Sequence, residues 1–243
     1  MTLDRLSAIM RRLRDPHTGC EWDRVQTFAT IAPYTIEEAY EVADAIDRDD
    51  MAGLADELGD LQLQVVFHAQ IAADAGHFSL DDVLTRICDK LERRHPHIFG
   101  GASESPGWEV LKAAERSKTP DQSALAGVAL ALPALERAKK LQKRAARTGF
   151  DWPDATGARA KVVEELAELD AEQEQGRREE ELGDLLFAVV NLARKLNIEP
   201  EAALRAANAK FERRFRHIET EPGFEALDLD EKEALWVKAK TAV

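Results

Sequence analysis

The sequence predicts an all-α protein made of two tandem copies of one helical bundle, and two observations carry that prediction. First, strand signals are scarce: aromatic residues make up 6% of the 243 residues, and no stretch alternates apolar and polar positions over several residues. Second, five blocks recur in the same order, one half-chain apart. Gly19-Cys20-Glu21-Trp22 returns as Gly149-Phe150-Asp151-Trp152, and Glu37-Glu38-x-x-Glu41 as Glu164-Glu165-x-x-Glu168. Glu57-Leu58-Gly59-Asp60-Leu61 returns as Glu181-Leu182-Gly183-Asp184-Leu185. Lys90-Leu-Glu-Arg-Arg-His-Pro-His-Ile98 mirrors Lys210-Phe-Glu-Arg-Arg-Phe-Arg-His-Ile218, and Trp108 with Lys112 mirrors Trp236 with Lys240. A period this long in only two copies describes paired domains rather than a solenoid. The expected boundaries are 1–118 for the first domain, 119–132 for a linker and 133–243 for the second. The polar, proline-containing run Ser117 to Ser123 marks the break.

The elements follow in order. The N-terminal residues from Met1 read as an amphipathic helix, not an apolar signal core. Residues 31–46 and 160–169 place apolar side chains at three- and four-residue spacings among glutamates; 54–73 and 182–196 do the same. In each half these two acidic helices are expected to pack antiparallel. Ser79-Leu80-Asp81-Asp82 has the form of a helix N-cap with acids in the first turn. Leu58 and Leu61 beside Asp60, and Leu182 and Leu185 beside Asp184, predict that the second acidic helix of each half is mostly buried.

Composition narrows the function. A net charge of −13 opposes general binding to a phosphate backbone, so duplex nucleic acid is excluded as a main partner. Cys20 and Cys88 form no CxxC spacing and are too few for a disulfide framework, which points to a reducing, cytoplasmic setting. The longest mostly apolar run, 125–135, is broken by Pro133 and too short for a membrane span. No GxGxxG or P-loop lysine motif occurs.

The acidic blocks carry the chemistry. In Glu164-Glu165-x-x-Glu168 the spacings of three and four put the carboxylates on one helical face, and Glu181-x-x-Asp184 presents a second pair on the next helix. Like charges so close are costly when buried unless a cation compensates them, and an all-oxygen set suits a hard ion such as magnesium. A single ExxE is ordinarily a solvated helix face; its recurrence in register with ExxD weighs against that here. Lys210 and Arg214, four apart, share a face suited to triphosphate oxygens. Trp236 offers a flat surface for a base and Lys240 a further phosphate contact, although each pattern alone equally describes a surface pair or a core anchor.

Together, EExxE, ExxD, the Lys-Phe-Glu-Arg-Arg-Phe segment and the terminal Trp-x-x-x-Lys resemble the MazG nucleoside triphosphate pyrophosphohydrolases over nearly the whole chain. The resemblance implies an all-α fold, a homodimer, and magnesium-dependent hydrolysis of ribo- or deoxyribonucleoside triphosphates to monophosphate and pyrophosphate, with manganese as the alternative ion. It implies Glu165, Glu168, Glu181 and Asp184 as metal ligands and Glu164 as the residue that orients or deprotonates water. It assigns nucleotide contacts to Lys161 and Arg177, which Tyr34 and Gly53 replace in the first half. The second half is therefore expected to be the main active site. Glu38, Glu41, Glu57 and Asp60, with Glu37, form a weaker or vestigial set. Two rivals stand beside this reading. One is a di-metal carboxylate oxidoreductase, for which Glu92-x-x-His95 supplies one ExxH but Glu212-x-x-Phe215 lacks the second histidine. The other is a non-enzymatic helical protein that binds nucleotides or partners. His68 and His77 are expected to be packing or surface residues.

Overall fold

A computed structural model describes residues 2–100 and 121–242. Among these every regular element is helical, in two compact units, Met1–Ala114 and Glu115–Val243. Trp108, Lys112 and the start of the expected linker lie outside the described residues.

The first unit contains α1 (Thr2–Leu13), α2 (Glu21–Val25), α3 (Phe28–Asp47), α4 (Met51–Asp74), α5 (Leu80–Arg94) and α6 (Pro96–Phe99). Helices α3 and α4 form its central hairpin, with α1 and α5 packed on α4. Both ends of the hairpin turn are specified locally. Arg48 closes α3 through backbone bonds to Asp44 and Ile46, Asp49 turns at φ 54°, and the Asp50 carboxylate caps α4 by accepting from the Gly53 amide. A capping box joins Thr27 to Thr30 at the start of α3, and Ser79 with Asp82 makes the expected one at α5. Met10, Ile31, Val66, Phe67 and Ile71 form the core.

The second unit contains α7 (Ala134–Ala146), α8 (Ala155–Ala171), α9 (Gln175–Lys195), α10 (Pro200–Ile218), a 3-10 turn (Phe224–Ala226) and α11 (Leu229–Ala242). Helices α8 and α9 repeat the central hairpin, α7 packs on α9, and α10 packs on α7 and α11. Helix α9 begins seven residues before the expected Leu182, because the polar run from Gln175 to Glu181 carries no apolar stripe to reveal it.

Two expectations need correction. The part of the linker expected at 119–132 that is described belongs to the second unit. Ala126 is buried, and Arg144 Nη1 donates to the carbonyls of Ala124 and Ala126. Nor are the second acidic helices mostly buried. Their C-terminal halves carry the core, through Val66 and Phe67 in α4 and Ala188 and Val190 in α9, but Leu58, Asp60, Leu182 and Asp184 are exposed. Asp56, Glu57 and Asp60 in α4, and Glu179, Glu180, Glu181 and Asp184 in α9, make that end of each hairpin polar.

Candidate active site

The hairpin of α8 and α9 gathers the predicted carboxylates of the second unit. Glu165, Glu168 and Glu181 each place an oxygen within 4.8 Å of the others. Glu165 is buried, at 5% exposure, where its helix faces α9; Glu181 is half-buried and Glu168 exposed. Asp184 stands one turn beyond Glu181 on the wall of the adjoining cavity. Burial, then the neighbouring charges of Glu168, Glu165 and Asp184, hold the Glu181 carboxyl above its ordinary pKa. This is a negative field in need of a counter-charge. Lys161, one turn before Glu165, supplies part of it: Nζ lies 2.8 Å from Glu164 Oε1 and 2.6 Å from Glu165 Oε1. Those two bonds, to Glu164 first, raise the lysine pKa further above its usual value.

The first unit assembles the same triad. Glu38, Glu41 and Glu57 place oxygens within 4.8 Å of one another. Burial raises the Glu38 pKa, with Asp60 and Glu41 adding to the shift, while a hydrogen bond from Gln64 Nε2 at 3.2 Å opposes it. Glu57 is raised likewise by burial and then by Glu41 and Asp60. Tyr34 stands at the position of Lys161, and its ring meets Trp22 edge-on at 6.2 Å. Gly53 replaces Arg177 for a local reason: a β-carbon there would lie 2.5 Å from the capping carboxylate of Asp50. Arg177 itself is exposed, 3.5 Å from Glu174 and 3.9 Å from Glu172.

Beside the second triad opens a cavity of about 710 Å³. Lys161, Glu165 and Asp184 line it, together with Trp152, Phe187 and Asn191. Its size falls in the range of small-molecule sites. Trp152 reaches its place because Gly157 has no side chain: a β-carbon there would lie 2.2 Å from the indole. Asp151 clamps Arg194 at 2.5 and 3.0 Å and meets Lys195 at 3.1 Å, which holds its carboxyl down at about 2. Sequence reading had used Asp151 and Trp152 only as repeat markers and had missed Gln142, Asn191 and Arg194. The available signal was the change of residue type at matched core positions.

The structure does not bring Lys210, Arg214, Trp236 or Lys240 to this cavity. They sit on α10 and α11, where Trp236 packs at 5.2 Å on Phe211, itself stacked on Phe215 at 5.9 Å. Within one chain Trp236 is therefore an anchor between these two helices. His95 directs Nδ1 to the Leu91 carbonyl at 2.7 Å, closing the end of α5, while His68 stacks on Phe28 and lies 3.0 Å from Thr35 Oγ1.

Sequence comparison agrees with this geometry. The MazG nucleotide pyrophosphohydrolase domain matches residues 26–99 and again residues 159–219, one match on each acidic hairpin. The chain is 50% identical to the nucleoside triphosphate pyrophosphohydrolase of Escherichia coli (strain K12), over 98% of this chain and 97% of that one. It is 45% identical to the nucleoside triphosphate pyrophosphohydrolase/pyrophosphatase MazG of Thermotoga maritima, over 98% and 95%. With the nucleoside triphosphate pyrophosphohydrolase of Mycolicibacterium smegmatis it shares 36% identity over 69% of this chain and 52% of that one. Two copies of the family's domain, each carrying its acidic hairpin, make this chain a member of the MazG family of nucleotide pyrophosphohydrolases.

Proposed function

We propose that the second unit hydrolyses nucleoside triphosphates to nucleoside monophosphate and pyrophosphate, and so limits or cleans nucleotide pools in the cytoplasm. One observation carries this reading: a single cavity is lined by Lys161, by Glu165 of the carboxylate triad and by Asp184, and also by the aromatic and apolar side chains of Trp152, Phe150 and Phe187. That is the division of a nucleotide into phosphate and base. The family membership and the names of the relatives point to the same reaction.

The donor set suits magnesium or manganese, since it offers only carboxylate oxygens within a few ångströms and carries more negative charge than Lys161 offsets. Glu165, Glu168 and Glu181 would hold the ion, with Asp184 alongside. When bound, it neutralises phosphate oxygens and acidifies a coordinated water. The chain's own residues do the rest. Water oxygen bonds to the α-phosphorus, the bond from that phosphorus to the bridging oxygen breaks, and pyrophosphate leaves with that oxygen. To Glu164, 56% exposed and outside the ligand set, we assign the proton from water. Lys161, which bridges Glu164 and Glu165, carries the ammonium beside the triad and would contact the phosphate oxygens. Arg177 adds a second positive group at the start of α9.

The first unit's triad has Tyr34 in place of the lysine and the buried side chains of Gln64 and Phe67 at the positions of Ala188 and Asn191, and we assign it weak metal binding or a role in assembly. A homodimer accords with the exposed apolar residues Val163 and Leu166 on α8 and Leu182, Leu186 and Val189 on α9. Sedimentation velocity tests it. No helix among the described residues is long and apolar enough to cross a membrane.

Incubation with each triphosphate and magnesium, followed by product separation, tests the reaction. Monophosphate plus pyrophosphate is expected, and chelation should abolish it. Diphosphate plus orthophosphate would overturn the cleavage position.

A further inference from the structure

Trp152 lines the second unit's cavity from a loop and not from a helix. It lies between α7 and α8, where no helical ladder fixes the backbone, so other contacts must hold its indole in place. Two residues at the end of α9 reach that loop: Arg194 and Lys195, whose side chains are 16% and 12% exposed. Arg194 Nη1 and Nη2 donate to the Asp151 carboxylate at 3.0 and 2.5 Å, and Lys195 Nζ donates to it at 3.1 Å. The Lys195 ammonium also donates to the Trp152 carbonyl. Arg194 is itself braced from α9, because Asn191 Oδ1 accepts from its Nε at 3.0 Å and from its Nη2 at 2.6 Å. A planar fork engaged on both edges has little freedom to turn. The loop is thus stapled to α9 by the side chain at 151 and the carbonyl at 152. The indole lies against α8, where Gly157 gives it room, and Pro153 keeps the Trp152 backbone out of helical geometry.

The first unit holds its matching tryptophan differently. Trp22 lies on α2, and Gln26 Nε2 donates to its carbonyl at 2.9 Å. Its ring meets Tyr34 and Phe67 edge-on, each at 6.2 Å. The step relating Glu57 to Glu181 places Gln70 and Ile71 at the positions of Arg194 and Lys195. Gln70 Nε2 donates to Asp74 on its own helix at 2.7 Å, and Ile71 belongs to the buried core. Neither supplies a cation for Glu21, the counterpart of Asp151. A tryptophan can be fixed by rings packed on it or by charges that grip its backbone. Rings occupy the volume beside the indole, whereas ion pairs on the backbone side leave that volume open. The unit with the cavity of about 710 Å³ uses the second way.

Building on the pyrophosphohydrolase reading, we propose that Asp151, Arg194 and Lys195 are positioning residues for the triphosphate substrate: they hold the Trp152 indole as a preformed wall of the cavity. They act through Trp152, and the triad on α8 and α9 does not depend on them. When the staple is cut, the loop spends part of its time with the indole away from the cavity. Apparent affinity then falls with the fraction of molecules whose wall is in place, while kcat is kept. A wall in place about one time in ten gives a KM about tenfold higher.

Steady-state kinetics with adenosine triphosphate and magnesium tests this in a double-mutant cycle. Asp151→Asn and Arg194→Met should each raise KM about five- to tenfold, with kcat within about twofold of wild type. Trp152→Ala should raise KM at least as much, and adding Asp151→Asn to it should raise KM no further, because the staple acts through the indole. General damage to the fold would add its effect in either background. An equal rise in KM from Asp151→Asn with and without Trp152, or a fall in kcat at unchanged KM, would overturn the proposal. The wall is also read without substrate, by fluorine NMR of protein labelled with fluorotryptophan, the Trp152 resonance being the one that Trp152→Phe removes. Asp151→Asn should move that resonance toward its position in the unfolded chain and leave those of the other tryptophans in place. An unmoved Trp152 resonance overturns the staple. If the wild-type protein hydrolyses no triphosphate, the reaction reading itself fails, and the spectrum alone then decides whether Asp151 holds the wall.

Discussion

The two units share a hairpin and a carboxylate triad, yet differ in what lies behind the triad. In the first, side chains fill the space: Met10, Ile31 and Val66 are its largest fully buried residues, and Gln64 and Phe67 are buried beside them. In the second, Ala158 matches Ile31, Ala188 matches Gln64 and Asn191 matches Phe67, and a cavity of about 710 Å³ opens. A duplicated bundle thus either fills the same core positions with its own side chains or leaves room beside them. On the function proposed above, the volume and charge beside the carboxylates, rather than the carboxylates alone, mark the working copy.

The sharpest break in that comparison is expected at matched glutamates. Glu165→Gln should lower pyrophosphate release by about a hundredfold or more, since it removes the buried member of the triad. Glu38→Gln should change it by less than about twofold. Glu38→Gln should not lower the melting temperature, because it relieves repulsion among neighbouring carboxylates, whereas Glu165→Gln also removes the ion pair with Lys161 and should change it by a few degrees at most. Equal loss in the two variants would end the assignment of a single working site.

The next effect is on stability. Asp151, an exposed residue whose carboxylate is partly covered by Arg194 and Lys195, has its pKa lowered from 3.8 to about 2 by those partners, and with solvent screening the shift contributes about 1 kcal/mol. The folded value lies below the unfolded one. The stabilisation is therefore complete above about pH 4 and lost as pH falls toward 2. Asp151→Asn should lower stability at pH 7 by about 1 kcal/mol, and the gap from wild type should close in acid. Urea titrations at pH 7 and pH 3 would show it. A gap that does not narrow on acidification would mean that packing rather than charge holds the clamp.

A smaller effect comes from making the second unit resemble the first. Ala188→Gln returns the bulky side chain of Gln64 to a cavity-lining position that is 5% exposed. KM for triphosphates should rise about tenfold with kcat far less affected, because the added amide takes ligand volume without touching the triad. An equal fall in kcat with unchanged KM would place the guest elsewhere.

The repeat made much of this legible. Helix type, the duplication and the acidic triads follow from spacing, since side chains three and four apart share a face whatever surrounds them. The start of α9 was hidden because Gln175 to Glu181 is polar throughout, and a helix with no apolar face leaves no periodic trace. For Lys210, Arg214 and Trp236 the sequence says less, because spacing shows which face residues share, not what that face meets. Trp236 meets Phe211. Gln142 and Asn191 escaped notice because lone amides in apolar helices look like tolerated polarity. Only their partners, a carbonyl and a guanidinium, reveal how each amide is engaged.

The smallest predicted effect concerns the wall that only the second unit positions in this way. Gly157 corresponds to Thr30, whose hydroxyl is spent on the capping box at the start of α3. In the second unit Asp154 caps α8 alone, which frees the later position to be glycine and lets the Trp152 indole lie against the helix. Gly157→Ala would bring a methyl group to 2.2 Å from that ring, so the indole must shift. The substitution also favours the helix by about 1 kcal/mol. The protein should therefore keep its melting temperature while KM rises about threefold, a modest loss for one displaced wall of a cavity that retains its triad. Thr30→Ala in the first unit should do the opposite, costing about 1 kcal/mol of capping with no change in KM. If the glycine variant left KM unchanged, Trp152 would be structural, and the first turn of the acidic helix would differ between the units only in how it is capped.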